Sequence, residues 1–421
     1  MSFWERTKPL RLRLALLLAV VGPGVITANV DNDAGGITTY SVAGAHYGYG
    51  LLWMMPLVAI ALIVVQEMSA RLGVVTGKGL ADLIRETLGV RWTTLILGIL
   101  VLANLANTVS EFAGVAASME IFGVSKYISV PIAAVLVWVL IVRANYKTAE
   151  RIFLVASALY LAYVASGILA RPPWHEVLLA MRTPTFHFDA SYVTIFVTII
   201  GTTIAPWMQF YQQSAIIDKG LKTADYVYER IDVVVGAIFA VFVAGFIVIA
   251  CGATLFANGL RIETAKDAAI ALRPLAGPYA ATLFALGLLN ASVFSAAILP
   301  LSTAYVVCEA FGFESGVSHN LKEAPAFSGI FTALIVLGAL VILLPLKSLV
   351  QTMMASQTLN GVLLPVILLV MLRLINDRRL MGKFVNGAVF NVIAWAIVAA
   401  LIILTVILLL VSTFPGIVGG A

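Results

Sequence analysis

Charge is scarce in this chain. Asp, Glu, Lys and Arg make up 11% of its 421 residues, where a soluble protein carries roughly a quarter. That shortage excludes an ordinary water-facing surface. Cysteine is nearly absent: Cys251 and Cys308 are the only two. Neither belongs to a CxxC or Cys/His spacing, so a disulfide framework and a thiolate metal site are excluded and both read as packing residues. The four histidines, His46, His175, His187 and His319, are too scattered for a metal cage and read as solvent-exposed. No low-complexity linker and no soluble domain interrupts the sequence. The net charge of +5 does not point to nucleic acid, because the basic residues first have to be sorted by side of a membrane.

What is there is hydrocarbon. Hydrophobic residues make up 61% of the chain, the mean hydropathy is +1.03, and apolar runs of about 20 residues, enough to cross a bilayer core, recur throughout. The pattern is that of an all-α integral membrane protein, one polytopic domain over 1–421. Eleven spans are expected, near 15–45, 50–72, 93–120, 128–143, 150–170, 191–217, 230–256, 278–308, 327–345, 348–373 and 385–412. The basic, apolar N-terminus resembles a leader but has no small-residue cleavage site, so it reads as the first span. With the N-terminus in the cytoplasm, 19 of the 26 lysines and arginines fall on the cytoplasmic side. The other seven are Lys126, Arg171, Arg182, Arg261, Lys266, Arg273 and Lys347. The positive-inside rule then gives a multi-pass cell-membrane protein with an extracellular C-terminus.

Two spans are interrupted. In "ITANVDNDAGGITTY" (Ile26 to Tyr40), Asp31, Asp33, Gly35 and Gly36 stand where hydrocarbon belongs. In "YVTIFVTIIGTTIAPWMQFYQQSAI", Gly201-Thr202-Thr203 is followed by Ala205-Pro206-Trp207. Pro206 has no N–H to donate and disfavours helical geometry at Ala205. The breaks open spans 1 and 6, an odd number apart, so the two five-span halves run oppositely through the membrane. Paired broken helices in inverted halves are the sequence pointer to a secondary transporter. The expected architecture is a LeuT-type 5+5 inverted repeat, with a first repeat near 15–170, a second near 191–373 and an extra helix near 385–412. Ionisable groups inside a span are functional by default because burying them costs several kcal/mol unless they are paired or hydrated. No Lys or Arg in either broken span can pair with the acids, so a cation from solution is the simplest partner. Residues two apart on a helix point about 200° apart. Asp33 is therefore taken as the ion ligand and Asp31 as a vestibule or supporting residue.

"RLGVVTGKGLADLIRE" (Arg71 to Glu86), preceded by "QEMSA", resembles the cytoplasmic end of the second span in the NRAMP transporters of divalent metals. "AGAHYGYGLLW" (Ala43 to Trp53) resembles their first extracellular turn, and "SQTLNGVLLP" (Ser356 to Pro365) is similar to their tenth span. The resemblance covers nearly the whole chain, strongest in span 2 and weaker around span 6. It lays the family's Asp-Pro-Gly-Asn motif on Asp33-Ala34-Gly35-Gly36, its Met-Pro-His on Ala205-Pro206-Trp207, and its tenth-span glutamine on Gln357.

The departures imply a different cargo. Where the family has a metal-binding asparagine this chain has Gly36, and where it has methionine this chain has Ala205. Loss of thioether sulfur, which suits soft or borderline metals, leaves oxygen ligands alone. A wider pocket suits magnesium, which dehydrates reluctantly and is held through one or two carboxylates. The resemblance is closest to the NRAMP-related magnesium transporters. It implies a metal site of Asp33, Gly36, Thr202 (through its carbonyl), Ala205 and Gln357, with Asp31, Trp207 and Glu111 in support. The family's Asp-x-x-Glu reads Thr108-Val109-Ser110-Glu111, its span-6 histidine is Trp207, and span 9 has no Arg or His. Import of Mg2+, with Mn2+ also carried, is therefore expected without proton coupling. No cofactor, nucleic acid or obligate protein partner is expected. Three rivals stand beside this: a proton-coupled Mn2+/Fe2+ importer, a Mg2+-dependent intramembrane enzyme acting on a diphosphate, and a sodium-coupled amino-acid transporter. The enzyme would want a second acid-rich cluster, which no span contains, and the amino-acid carrier would not explain the span-2 match. Asn290 and Asn360 fit helix-to-helix hydrogen bonding and pore lining equally.

Overall fold

A backbone surrounded by hydrocarbon has to satisfy its own hydrogen bonds, and helices do this within one segment. The computed structural model describes residues 30–142, 157–187, 189–314 and 323–413, and no strand occurs among them. The longer helices are α1 (Ala34–Tyr47), α2 (Met54–Thr76), α3 (Leu80–Ile121), α4 (Lys126–Val142), α5 (Leu161–Leu169), α6 (Trp174–Arg182), α7 (Ala190–Thr203), α8 (Pro206–Asp218), α9 (Tyr226–Thr254), α10 (Ala280–Phe311), α11 (Pro325–Leu343), α12 (Leu349–Ile375) and α13 (Ala388–Thr413). Eight helical stretches among the described residues are long and apolar enough to cross a bilayer, with α7 and α8 counted together; α4, at 17 residues, falls just short. The opening half of expected span 1, the start of span 5 and the loop with His319 lie outside the described residues.

The third span, expected near 93–120, is the part of α3 beyond Gly89, whose φ of 77° and ψ of 167° are not helical; the residues from Leu80 precede it. The left-handed φ is one that only glycine adopts freely, so a short amphipathic helix joins the span at a kink that apolar periodicity does not register. The segment between α9 and α10 forms short helical turns that are partly buried. Helix Ala265–Ala269 is held by a capping box of Thr264 and Asp267. Ala268, Ala269, Ala271 and Leu272 are buried, and Ser166 of α5 donates to the Ala271 carbonyl at 2.6 Å.

Long-range hydrogen bonds sort the helix ends into two groups. At one end Arg71 of α2 donates to the Phe384 carbonyl (3.1 Å) and to Asn386 (2.5 Å) before α13, and to Glu67 (3.0 Å). Arg85 of α3 reaches the Ala310 carbonyl of α10 at 2.9 Å, and Gln213 of α8 reaches the Lys78 carbonyl at 2.7 Å. At the other end Lys126 donates to the carbonyls of Ile342 (2.9 Å) and Leu344 (2.7 Å), beyond α11. There too Trp53 donates to the Thr185 carbonyl at 3.1 Å, and Thr185 to that of Gly50 at 3.1 Å. Helices α7 and α8 are buried along their length in the middle of the bundle, while α13 turns Val389, Val392, Trp395 and Ile403 outward.

Candidate functional site

The first break is a helix restart. Residues 30 and 31 are helical, 32 and 33 are not, and α1 begins at Ala34. Asp33 is its N-cap: the extended backbone (φ −68°, ψ −175°) turns the carboxylate back to accept the Gly36 N–H at 2.6 Å. A short polar side chain there satisfies one of the donors a helix start leaves open. The second break follows from Pro206. As expected, Ala205 is extended (φ −71°, ψ 140°), and Pro206 becomes the first residue of α8, where its missing N–H costs nothing.

The two breaks meet. A Cβ built on Gly36 would lie 2.6 Å from the Asp31 carbonyl oxygen, 3.2 Å from Thr202 Oγ1 and 3.4 Å from Asp33 Oδ1. Three oxygens from the helix ends beside the two breaks therefore surround the place that any side chain at 36 would fill. The Thr202 hydroxyl is buried and has no hydrogen-bond partner among the described residues, and the same holds for both carboxylate oxygens of Asp31. The last turn of α7 adds the negative end of its helix dipole. Just outside the break, Tyr40 of α1 and Thr203 of α7 share a hydroxyl–hydroxyl bond of 2.7 Å. Asn32 reaches the Ala240 carbonyl of α9 at 3.5 Å.

Helix α12 supplies the third wall. Gln357 Nε2 donates to Asp33 Oδ1 at 3.5 Å and Oδ2 at 3.4 Å. Its approach is so close that a Cβ on Gly35 would fall 2.0 Å from that nitrogen. Gln357 Oε1 accepts from Asn360 at 2.9 Å, and Asn360 forms a reciprocal pair with Asn107 of α3, both bonds 3.0 Å. Asn360 thus takes the helix-to-helix role, and Asn290 Nδ2 has no partner. Glu111 accepts the Ala34 N–H at 3.3 Å through Oε2; its Oε1 is buried without a partner. The nearest recorded thioether contact is on the Tyr47 side of the break, where Met353 Sδ takes the Thr38 hydroxyl at 3.5 Å.

Of the residues expected from sequence, Asp33, Gly36, Thr202 and Gln357 converge, with Asp31 and Glu111 beside them. Two details differ. Thr202 presents its hydroxyl rather than only the expected carbonyl, and Gln357 turns its nitrogen, not its oxygen, toward Asp33. Asp31, expected in a vestibule or supporting place, is buried and also brings its backbone oxygen toward Gly36. Ala205 is buried within the second break, and Trp207 is buried with its ring against Tyr211, centroids 6.2 Å apart. Asn107 was not expected; the signal available was an amide inside a span, four residues before Glu111. No group of three or more His, Cys, Asp or Glu side chains is placed to hold a metal ion together among the described residues. His175 and His187 are exposed as expected, whereas His46 is half-buried. Cys251 and Cys308 are both buried and free.

The sequence model of the natural resistance-associated macrophage protein-like (Nramp) family matches residues 24–411. The chain is 28% identical over 411 residues to the divalent metal cation transporter MntH of Ralstonia nicotianae, covering 90% of this chain and 88% of that protein. It is 27% identical over 417 residues to MntH of Bacillus subtilis, covering 94% and 93%. In fold it is similar to the Eremococcus coleocola manganese transporter crystallised with an aromatic bis-isothiourea substituted compound. The TM-score is 0.79 at 21% identity, over 95% of this chain and 87% of that one. The fold also resembles the nucleobase–cation symporter Mhp1 in a closed conformation, with a TM-score of 0.55 at 15% identity over 92% and 89%.

Proposed function

The chain belongs to the Nramp family, and on that premise we propose that it imports divalent cations, Mg2+ before Mn2+, partly hydrated and without proton coupling. Its homologues are metal-ion transporters rather than enzymes, and the reading needs no cofactor. The observation that carries it is the set of oxygens around Gly36, from the Asp31 carbonyl, Thr202 and Asp33. In this reading Asp33 neutralises part of the ion's charge, Thr202 and the Asp31 carbonyl replace some of its waters, and Gly36 and Ala205 leave room for the rest. An oxygen-only pocket favours a hard ion that keeps several waters. Asp31 and Glu111 add negative potential, and Trp207 closes the α8 side.

The same reading assigns eleven spans in a 5+5 inverted repeat with the N-terminus in the cytoplasm and the C-terminus outside. It is supported by the opposite directions of the breaks: α1 leaves its break toward the Tyr47 end, α8 toward the Arg71 end. Arg71, Lys78 and Arg85 gather at the latter, the cytoplasmic end in this reading. Uptake then needs no coupling ion. A divalent cation gains about 4.6 kcal/mol per 100 mV of membrane potential, twice the ~2.3 kcal/mol of a single charge.

The test is ion uptake into liposomes, with internal pH followed at the same time. Mg2+ entry without acidification is expected, and Asp33→Ala should cut Mg2+ and Mn2+ entry at least about tenfold. Undiminished Mg2+ flux in that variant overturns the reading. The rival is a proton-coupled manganese importer, and its choice of ion is that of the Eremococcus coleocola manganese transporter. It requires acidification during Mn2+ entry.

A further inference from the structure

The carboxamide of Gln357 faces Asp33 with its donor end, although a cation beside Asp33 would want the acceptor end. What holds it that way is a closed account of donors and acceptors. Asn360 Nδ2 has two hydrogens, and both are used, one on Asn107 Oδ1 at 3.0 Å and one on Gln357 Oε1 at 2.9 Å. Asn360 Oδ1 accepts from Asn107 at 3.0 Å. With its oxygen taken, Gln357 has only nitrogen to offer Asp33, at 3.4 and 3.5 Å. All four residues are buried, where an unpaired amide atom costs about 1–3 kcal/mol.

A reciprocal amide pair has a property that other hydrogen-bonded pairs lack. Turning both amides over exchanges N for O on each side and leaves two N–H···O bonds in place. Asn107 makes no other recorded hydrogen bond, so the turn costs it none. Asn360 would then show its oxygen to Gln357, Gln357 would donate to it, and Gln357 Oε1 would face Asp33. Against a bare carboxylate that orientation is repulsive; with a cation between the two oxygens it is favourable. The chain of amides is therefore complete in both settings.

We propose that Asn107 and Asn360 are positioning residues that hold Gln357 as a hydrogen-bond donor to Asp33 when the site is empty and as an oxygen ligand when a divalent cation is bound. The proposal rests on the reading of Asp33 as the ion's ligand. Its elements are joined across α3, α12 and α1, so the setting of the amides also ties cation binding to the packing of three helices.

The test is a double-mutant cycle on the purified full chain, reading Mg2+ and Mn2+ half-saturation separately from maximal uptake in liposomes, with calorimetric Mn2+ binding alongside. Asn360→Leu and Asn107→Leu should each raise the half-saturating concentration about five- to tenfold. In a Gln357→Leu background the same changes should add less than about twofold, because the asparagines act only through Gln357. Should a leucine variant fail to fold, Asn360→Ser or Asn107→Ser carries the same comparison. Penalties that add in full on Gln357→Leu, or a loss of maximal uptake with unchanged half-saturation, overturn the relay and leave a packing role. Asp33→Ala separates the two levels. Loss of flux there with unaltered affinity in the asparagine variants sinks the relay alone, while retained flux sinks the reading beneath it.

Discussion

At the scale of single residues, the site turns on what glycine and alanine leave unfilled. A methyl group at 36 would sit 2.6 Å from the Asp31 carbonyl oxygen, closer than carbon and oxygen tolerate, and in the space assigned to the ion. Gly36→Ala is therefore expected to lower Mg2+ and Mn2+ uptake at least about tenfold while the protein still elutes as a folded species from gel filtration. Unimpaired uptake would show that the ion sits elsewhere. Ala205→Met restores a thioether at the second break, and sulfur favours borderline metals over magnesium. The ratio of Mn2+ to Mg2+ uptake in competition should rise several-fold, and an unchanged ratio would remove position 205 from selectivity. Asp33 itself was legible in the sequence, since an acid in an apolar span with no basic partner asks for a cation. The orientation of Gln357 was not. It is linked through Asn360 to Asn107, 250 positions away in the chain, by amides that no local pattern connects.

At the scale of elements, the breaks were legible and the contact that brings them together was not. Pro206 announces the second break and Asp33 caps the helix after the first, whereas Gly35 and Gly36 lie inside α1. What aligns α7 with α12 is a backbone-to-backbone approach. A Cβ on Gly201 would lie 2.1 Å from the Gln357 carbonyl oxygen and 2.3 Å from the Gly361 nitrogen, and one on Gly361 would lie 2.5 Å from the Val197 carbonyl oxygen. Small residues that let helices meet this closely are the usual device where lipid offers no hydrophobic drive between them. Gly201→Ala should force α7 off α12 and displace Thr202 from Gln357. Overpacking of this kind typically costs 1–3 kcal/mol, so the melting temperature in detergent should fall by several degrees and cation affinity with it. A variant that melts like the parent would mean the helices have slack there. The kink at Gly89 and the buried turns between α9 and α10 escaped the hydropathy reading for a related reason: both are decided by what packs above them.

At the scale of the whole molecule, orientation is the property most open to direct test. The two native cysteines are buried, so single cysteines introduced at Lys347 and at Lys222 report sidedness against a low background. A membrane-impermeant maleimide should label position 347 in intact cells and position 222 only after permeabilisation; the reverse pattern would invert the assigned topology. By itself the sequence determined the solvent and the layout. Hydrocarbon outside compels helices inside, and apolar runs mark where those helices lie, because each of these follows from the transfer energy of one segment at a time. Only the tertiary structure decided which oxygens share a space. The meeting of these oxygens beside two helix breaks depends on glycine contacts and amide pairs between residues far apart in the chain, and such coincidences have no signature in any one segment.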